Sequence, residues 1–249
     1  MKKIIAIGGG EIGRPGTKVE TIAIDREIIK LSGKKNPKLL FIPTASLDSE
    51  SYFEVIKKHF LHRLKCKVNV LYLIKEKKSK KEIRKKILNT DIIYVGGGNT
   101  SKMMKHWKKL GIDVFLKKAY RKGVVMSGVS AGANCWFKFG SSSSLKFKNK
   151  NTSLGIVRGL NLINILFCSH YDVEKKRKSS FKKILKKSKY IGIALENCVA
   201  IEMIDNKYRI IKSKINAKAY KIYWKNHEYF KEEISSSTKY LPLSDLLKK

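Results

Sequence analysis

Five short apolar runs, separated by stretches with helical spacing, constrain this chain more than any other feature. They are Lys3–Ile7, Leu39–Ile42, Val68–Leu73, Ile92–Val95 and Val124–Val129. Each is largely continuous rather than alternating, the pattern of a strand covered on both faces. Between them apolar residues recur at helical intervals: Ile24, Ile28 and Leu31; Phe53, Ile56, Phe60 and Leu64; Ile83 and Ile87; Met104 and Trp107. Gly33 follows the first of these segments, where a left-handed cap belongs. This order predicts an α/β fold, a doubly wound, mostly parallel sheet with helices on both faces. The last third changes character. Tyr190–Leu195, Cys198–Met203, Tyr208–Ile211 and Ala219–Trp224 read as antiparallel strands extending the same sheet, with a tight turn at Asp205-Asn206. No linker or repeat divides the 249 residues. We therefore read one domain over 1–249, with Ser141–Ser144 as a loop and the tail from about 232 peripheral.

Composition removes several classes. At 43% hydrophobic residues, the chain is neither disordered nor collagen-like. No apolar run reaches the roughly 18 residues of a membrane helix. The apolar start ends at Gly8-Gly9-Gly10, too early for a signal peptide, so a cytoplasmic protein is expected. Cys66, Cys135, Cys168 and Cys198 stand far apart with no CxxC, which suits a reducing compartment. The net charge is +35, but the excess is dispersed. Its densest runs, Lys75–Lys86 and Lys175–Lys189, read as solvated helix faces without interleaved aromatics. We expect no specific nucleic-acid partner and no membrane partner. The oligomeric state stays open, a homodimer included.

The sharpest local signal is Gly128-Val129-Ser130-Ala131-Gly132, a G-x-S-x-G match. An apolar strand runs into it and a helical stretch, 131–137, follows. That context puts Ser130 on a sharp elbow, with the N–H of Ala131 aimed at an oxyanion. A serine nucleophile needs a base. His59, His62 and His106 lie in lysine-rich helical surroundings and His227 sits near the tail, whereas His170 ends the run Ile163–Cys168. Gly96-Gly97-Gly98-Asn99-Thr100 follows another strand, so Gly97 or Gly98 can supply the second oxyanion donor. Asn99 is a substrate-side candidate, compatible with a capping role. Gly8-Gly9-Gly10-Glu11-Ile12-Gly13 has the dinucleotide spacing, but Arg14-Pro15-Gly16 opens no helix and no acid ends the second strand. His59, His62 and Cys66 straddle a helix end, a poor metal set.

Together these pieces resemble the peptidase E (aspartyl dipeptidase) family of serine peptidases, whose relatives include cyanophycinase. The resemblance rests on Ile7-Gly8-Gly9-Gly10-Glu11, Phe41-Ile42-Pro43-Thr44-Ala45-Ser46, Tyr94-Val95-Gly96-Gly97-Gly98-Asn99-Thr100, Ser130-Ala131-Gly132-Ala133 with Trp136-Phe137, and His170-Tyr171-Asp172. It implies a class I glutamine amidotransferase-like sandwich with serine at the elbow. It implies Ser130 as nucleophile, His170 as base, and the N–H groups of Ala131 and of Gly97 or Gly98 as oxyanion hole. It also implies cleavage of an N-terminal aspartate from small acidic peptides, without metal or organic cofactor. A basic side chain then holds the substrate carboxylate, and Arg177 is the candidate. An isoaspartyl, cyanophycinase-like activity would need the same elbow and the same kind of pocket.

One element of the family pattern is missing. Its acidic triad member falls where this chain has Gly140-Ser141-Ser142-Ser143-Ser144, and no Asp or Glu occurs from Ala131 to Tyr171. Several accounts are open. Ser143 orients His170 as a neutral acceptor; or Asp172 or Glu196 serves from elsewhere; or the serine works with little orientation; or the fold has outlived fast chemistry.

Overall fold

The computed structural model describes residues 1–144, 154–173 and 175–249. Its first sheet carries the expected parallel core. Strands β1 (Lys3–Ile7), β2 (Lys38–Ile42), β3 (Lys67–Val70), β4 (Ile92–Val95) and β5 (Val125–Val129) lie in the order β1-β5-β4-β2-β3, all parallel. Ile4, Ile5, Ala6 and Ile7 are fully buried, as a strand covered on both faces requires. Helices α1 (Ile22–Ser32), α2 (Glu50–Ile56), α3 (Lys80–Leu88), α4 (Thr100–Leu110) and α5 (Ile112–Arg121) connect these strands. Gly33 caps α1 at φ 71°, its N–H on the Lys30 carbonyl. The helix α2 runs on into a wider turn, Lys57–Arg63, with π-type hydrogen bonding. That turn buries His59, whose Nε2 lies 2.8 Å from Asp25 Oδ2 and whose Nδ1 lies 3.1 Å from Arg63.

The last third departs from the single-sheet expectation. Strands β10 (Val199–Ile204) and β11 (Lys207–Lys212) do extend the first sheet, β10 antiparallel to β1 and β11 antiparallel to β10. A second sheet takes the rest, in the order β13-β12-β9-β8-β6-β7. It comprises β6 (Phe137–Ser142), β7 (Gly155–Arg158), β8 (Ile163–Cys168), β9 (Gly192–Leu195), β12 (Ala219–Lys225) and β13 (Glu228–Ile234). Strands β6, β8 and β9 are mutually parallel, and β7, β12 and β13 run antiparallel to their neighbours. Ser141 and Ser142 are therefore strand, not loop. The short helix α6 (Ala131–Asn134) stops four residues in, because Phe137 already belongs to β6. Helix α7 (Lys175–Lys186) buries Phe181 and Leu185 beneath its lysines. The segment from Glu232 is not peripheral throughout. Part of it completes β13, β14 (Leu241–Pro242) pairs with β11, and α8 (Leu243–Leu247) buries Leu246.

Of the places where the chain passes between the sheets, two matter for the site. One is Ser130 with α6, which links β5 to β6. The other is the corner 196–198, which links β9 to β10. Three residues are too few for a crossover between neighbouring parallel strands. Cys198, at φ 65°, turns the chain into the other sheet instead.

Candidate active site

Ser130 leaves the end of β5 with φ 58° and ψ −112°. A non-glycine residue at positive φ is strained, and such strain persists only where the surroundings enforce it. The enforcement is visible. The Ser130 N–H donates to the Ile7 carbonyl at 3.2 Å, and the Ser130 carbonyl accepts from Asn134 at 2.9 Å. A side chain at Gly132 would begin 2.0 Å from the Val95 carbonyl oxygen, so only glycine lets the elbow sit this tightly on the end of β4.

His170 follows β8 with φ 52°. Its N–H donates to the Gly8 carbonyl at 2.9 Å, which ties the histidine to the end of β1. Its Nδ1 lies 2.7 Å from Oδ1 of Asn197. A carbonyl oxygen only accepts, so Nδ1 carries the proton and Nε2 is the basic nitrogen. Asn197 is itself held, since its backbone N–H donates to Asp172 Oδ1 at 3.0 Å. This pair explains the first glycine run. A Cβ at Gly9 would lie 2.0 Å from Asn197 Oδ1 and 2.4 Å from His170 Nδ1.

Ser130, His170 and Asn197 line one cavity of about 620 Å³, which also takes Gly97, Gly98, Tyr52, Glu11, Arg14 and Glu20 in its walls. Gly97 lies against the serine, since a Cβ there would sit 3.4 Å from Ser130 Cβ. The Gly97 N–H faces the hydroxyl of Tyr52 at 3.4 Å, a long hydrogen bond. Burial pushes the Tyr52 phenol above its usual value, so it stays protonated. Arg14 pairs with Glu11, its Nε donating to Oε2 at 2.8 Å, and those hydrogen bonds hold the Glu11 carboxyl below the usual range. A hydrogen bond from Lys214 does the same for Glu20.

Several expected placements change. At the Nδ1 position stands Asn197, not Ser143, which belongs to the turn after β6. There Ser142 and Ser144 bond each other at 2.7 Å and Ser142 bonds Thr100. Among the described residues, Asp172 reaches the Asn197 backbone and not the His170 ring. Glu196 turns away, accepting from the Lys218 N–H at 2.9 Å and the Tyr220 hydroxyl. Arg177 is 5% exposed on α7 and is not a wall of the cavity; Arg14 is the arginine there. Asn99 is the cap of α4, its Oδ1 accepting from the Lys102 N–H at 2.9 Å, and it too lies outside the cavity walls. Sequence reasoning missed Asn197, Tyr52 and Arg14. Arg14 and its partner Glu11 stand in the Gly8–Gly16 stretch, whose glycines carried part of the resemblance but whose charged pair has no signature of its own. Among the described residues no group of three or more His, Cys, Asp or Glu is arranged to hold a metal ion, and no helix is long and apolar enough to cross a membrane.

Comparison with known proteins places the chain. Residues 4–211 match peptidase family S51. The chain is 35% identical over 244 residues to the uncharacterized peptidase YgaJ of Bacillus subtilis, covering 97% of this chain and 100% of that one. It is 31% identical over 156 residues to the uncharacterized peptidase Lmo0363 of Listeria monocytogenes, covering 61% and 73%. The crystal structure of a peptidase from an acI-B1 actinobacterium shares the fold, with a TM-score of 0.72, 16% identity and 97% of each chain covered. The chain belongs to peptidase family S51, the peptidase E family.

Proposed function

We propose that the chain is a serine-type peptidase that hydrolyses short peptides with an N-terminal acidic residue through an acyl-enzyme. The observation that carries this reading is the bond from His170 Nδ1 to Asn197 Oδ1 in the cavity that holds Ser130. It supports Nδ1 as the protonated nitrogen and Nε2 as the base. Ser130 Oγ attacks the scissile carbonyl carbon and its proton passes to Nε2. The oxyanion forms against the N–H of Ala131 and that of Gly97 or Gly98; for Gly97, the long bond to Tyr52 yields to a negative oxygen. Collapse breaks the C–N bond, and Nε2 returns the proton to the leaving amine. Water, deprotonated by the same nitrogen, then releases the acid and restores the serine hydroxyl. Arg14 is the cation in the cavity wall that can meet an acidic side chain.

Asn197 also favours a second reading, a slow relative of the family. A neutral acceptor fixes the ring but offers no charge to the imidazolium that forms in the transition state. The deciding experiment compares wild type with Ser130→Ala on Asp-X, isoaspartyl-X and Ala-X peptides. Hydrolysis of Asp-X that vanishes in Ser130→Ala supports the first reading. Hydrolysis that persists unchanged in Ser130→Ala overturns the serine mechanism. A wild type silent on every peptide supports the second reading.

A further inference from the structure

We propose that the cavity around Ser130 is the first of two adjoining subsites, and that the second takes the C-terminal carboxylate of peptides longer than dipeptides. The proposal rests on the peptidase reading above and names the substrate class for that site. A second cavity, of about 880 Å³, lies beside the first. Both share Ile12, Arg14, Pro15, Ser51 and Val55 as walls. The first alone, at about 620 Å³, already falls in the range of a small-ligand site, roughly 300–1,000 Å³. Two such spaces side by side offer more room than a dipeptide uses, and each added residue extends a peptide by about 3.5 Å.

Charge is sorted between the two. Glu11 and Glu20 border only the catalytic cavity and are matched by Arg14 and Lys214, whereas Lys18, Lys58 and Arg63 border only the second. The one acid of the second cavity, Glu54, is matched by Lys57 at 3.3 Å. Lys18 and Lys58 have no carboxylate partner among the described residues and stand exposed. Arg63 is aimed by His59, whose Nδ1 lies 3.1 Å from its guanidinium and whose Nε2 is locked on the buried Asp25. Arg14, on the shared wall, is paired with Glu11 and faces the side chain of the first residue. A free peptide is positive at its amine and negative at its carboxyl end. The sorting therefore fixes one direction: the N-terminal residue lies at the serine, and the chain crosses Ile12–Pro15 so that its carboxylate reaches Lys18, Lys58 and Arg63. The substrates that use every contact are tri- and tetrapeptides with a free C-terminus.

The test uses Asp-Leu, Asp-Ala-Leu and Asp-Ala-Ala-Leu, each as the free acid and as the C-terminal amide. In wild type, kcat/KM rises with length through a falling KM. Amidation of the tetrapeptide lowers kcat/KM roughly five- to tenfold, the scale of a pair of partly solvated charge contacts. In the double variant Lys18→Glu, Lys58→Glu the acid loses its advantage over the amide, through KM rather than kcat, and Lys58→Arg keeps it. A dipeptide that is the best substrate, with acid and amide equal, overturns the proposal. Calorimetric binding of the tetrapeptide acid and amide to Ser130→Ala separates this failure from failure of the peptidase reading. Should wild type hydrolyse nothing, tighter binding of the acid, abolished by the two glutamates, still supports the second subsite, and equal binding overturns it.

Discussion

Replacing Asn197 by Asp tests the catalytic arrangement most directly. The amide oxygen lies 2.7 Å from His170 Nδ1, so a carboxylate in the same place needs no change of backbone. It would put opposite charges about 4 Å apart whenever the ring is protonated, as it is in the transition state. At an effective dielectric constant of about 20, that attraction is worth about 4 kcal/mol. Two effects reduce it. Asp172, whose Oδ1 already accepts from the residue-197 N–H at 3.0 Å, places a like charge behind the new one. The new carboxylate also loses part of its hydration. Taking half the attraction as surviving leaves about 2 kcal/mol, a gain of roughly 30-fold in kcat. The same energy favours the protonated ring in the free enzyme. Since the base works only when neutral, the acidic limb of kcat/KM against pH moves upward by about 1.5 units. The variant is thus faster than wild type on the alkaline plateau, and its lead shrinks or reverses below the limb. Steady-state hydrolysis of an Asp-X substrate from pH 5 to 9 reads both effects. If Asn197→Asp and Asn197→Ala each leave kcat within twofold of wild type and the limb unmoved, Asn197 does not hold the catalytic ring, and the reasoning fails.

Gly9→Ala should lower kcat/KM by about 100-fold, because the new methyl lies within bonding distance of both Asn197 Oδ1 and His170 Nδ1 and must push the pair aside. Melting should shift only by what a local overpacking of about 1–3 kcal/mol allows, and full activity in this variant refutes the placement. His59→Leu leaves the buried Asp25 carboxylate with the Thr21 hydroxyl but without the imidazole at 2.8 Å, and should cost about 3 kcal/mol, read as a melting temperature roughly 10 °C lower by calorimetry. Glu11 has its carboxyl held low by hydrogen bonds from Arg14. A group whose folded pKa is depressed stabilises above its unfolded pKa and loses that contribution as pH falls through the folded value. The difference in urea midpoint between wild type and Glu11→Gln is therefore full above about pH 5 and shrinks with acid; a difference that grows with acid contradicts the pairing.

The parallel half of the fold was legible because its strands are short, continuous and separated by helices, so period and order pointed the same way. The second sheet was not legible. Gly192–Leu195 and Val199–Ile204 have the same buried, continuous character, yet they lie in different sheets. Nothing in their periodicity distinguishes them. What separates them is a three-residue corner with Cys198 in the left-handed region, a backbone event that side-chain pattern does not encode. The same blindness turned Ser141 and Ser142 into a loop. They are polar and small, but β6 is an interior strand of the second sheet, and its serines face buried surroundings where only small side chains fit.

The serine and the histidine that share the candidate cavity were legible for a physical reason. An elbow needs small residues at fixed offsets from the nucleophile, and a strand-end histidine has to follow an apolar run, so both leave local marks in the sequence. The residue that orients the histidine leaves none. Any side chain with an oxygen that the fold brings to Nδ1 will serve, whatever its place along the chain. The interval between Ser130 and His170 holds no acid, and the acceptor comes instead from beyond the histidine, at the corner between the sheets. The indirect mark was Gly9. A strand ending in three glycines is costly in backbone entropy. Here the cost is explained by the histidine–asparagine pair lying where a side chain of residue 9 would begin. Glycines at the end of β1 thus report on residues some 160 to 190 positions away. That link makes Gly9→Ala and Asn197→Asp probes of one contact from its two sides: the first moves the pair without changing its chemistry, and the second changes its chemistry without moving it.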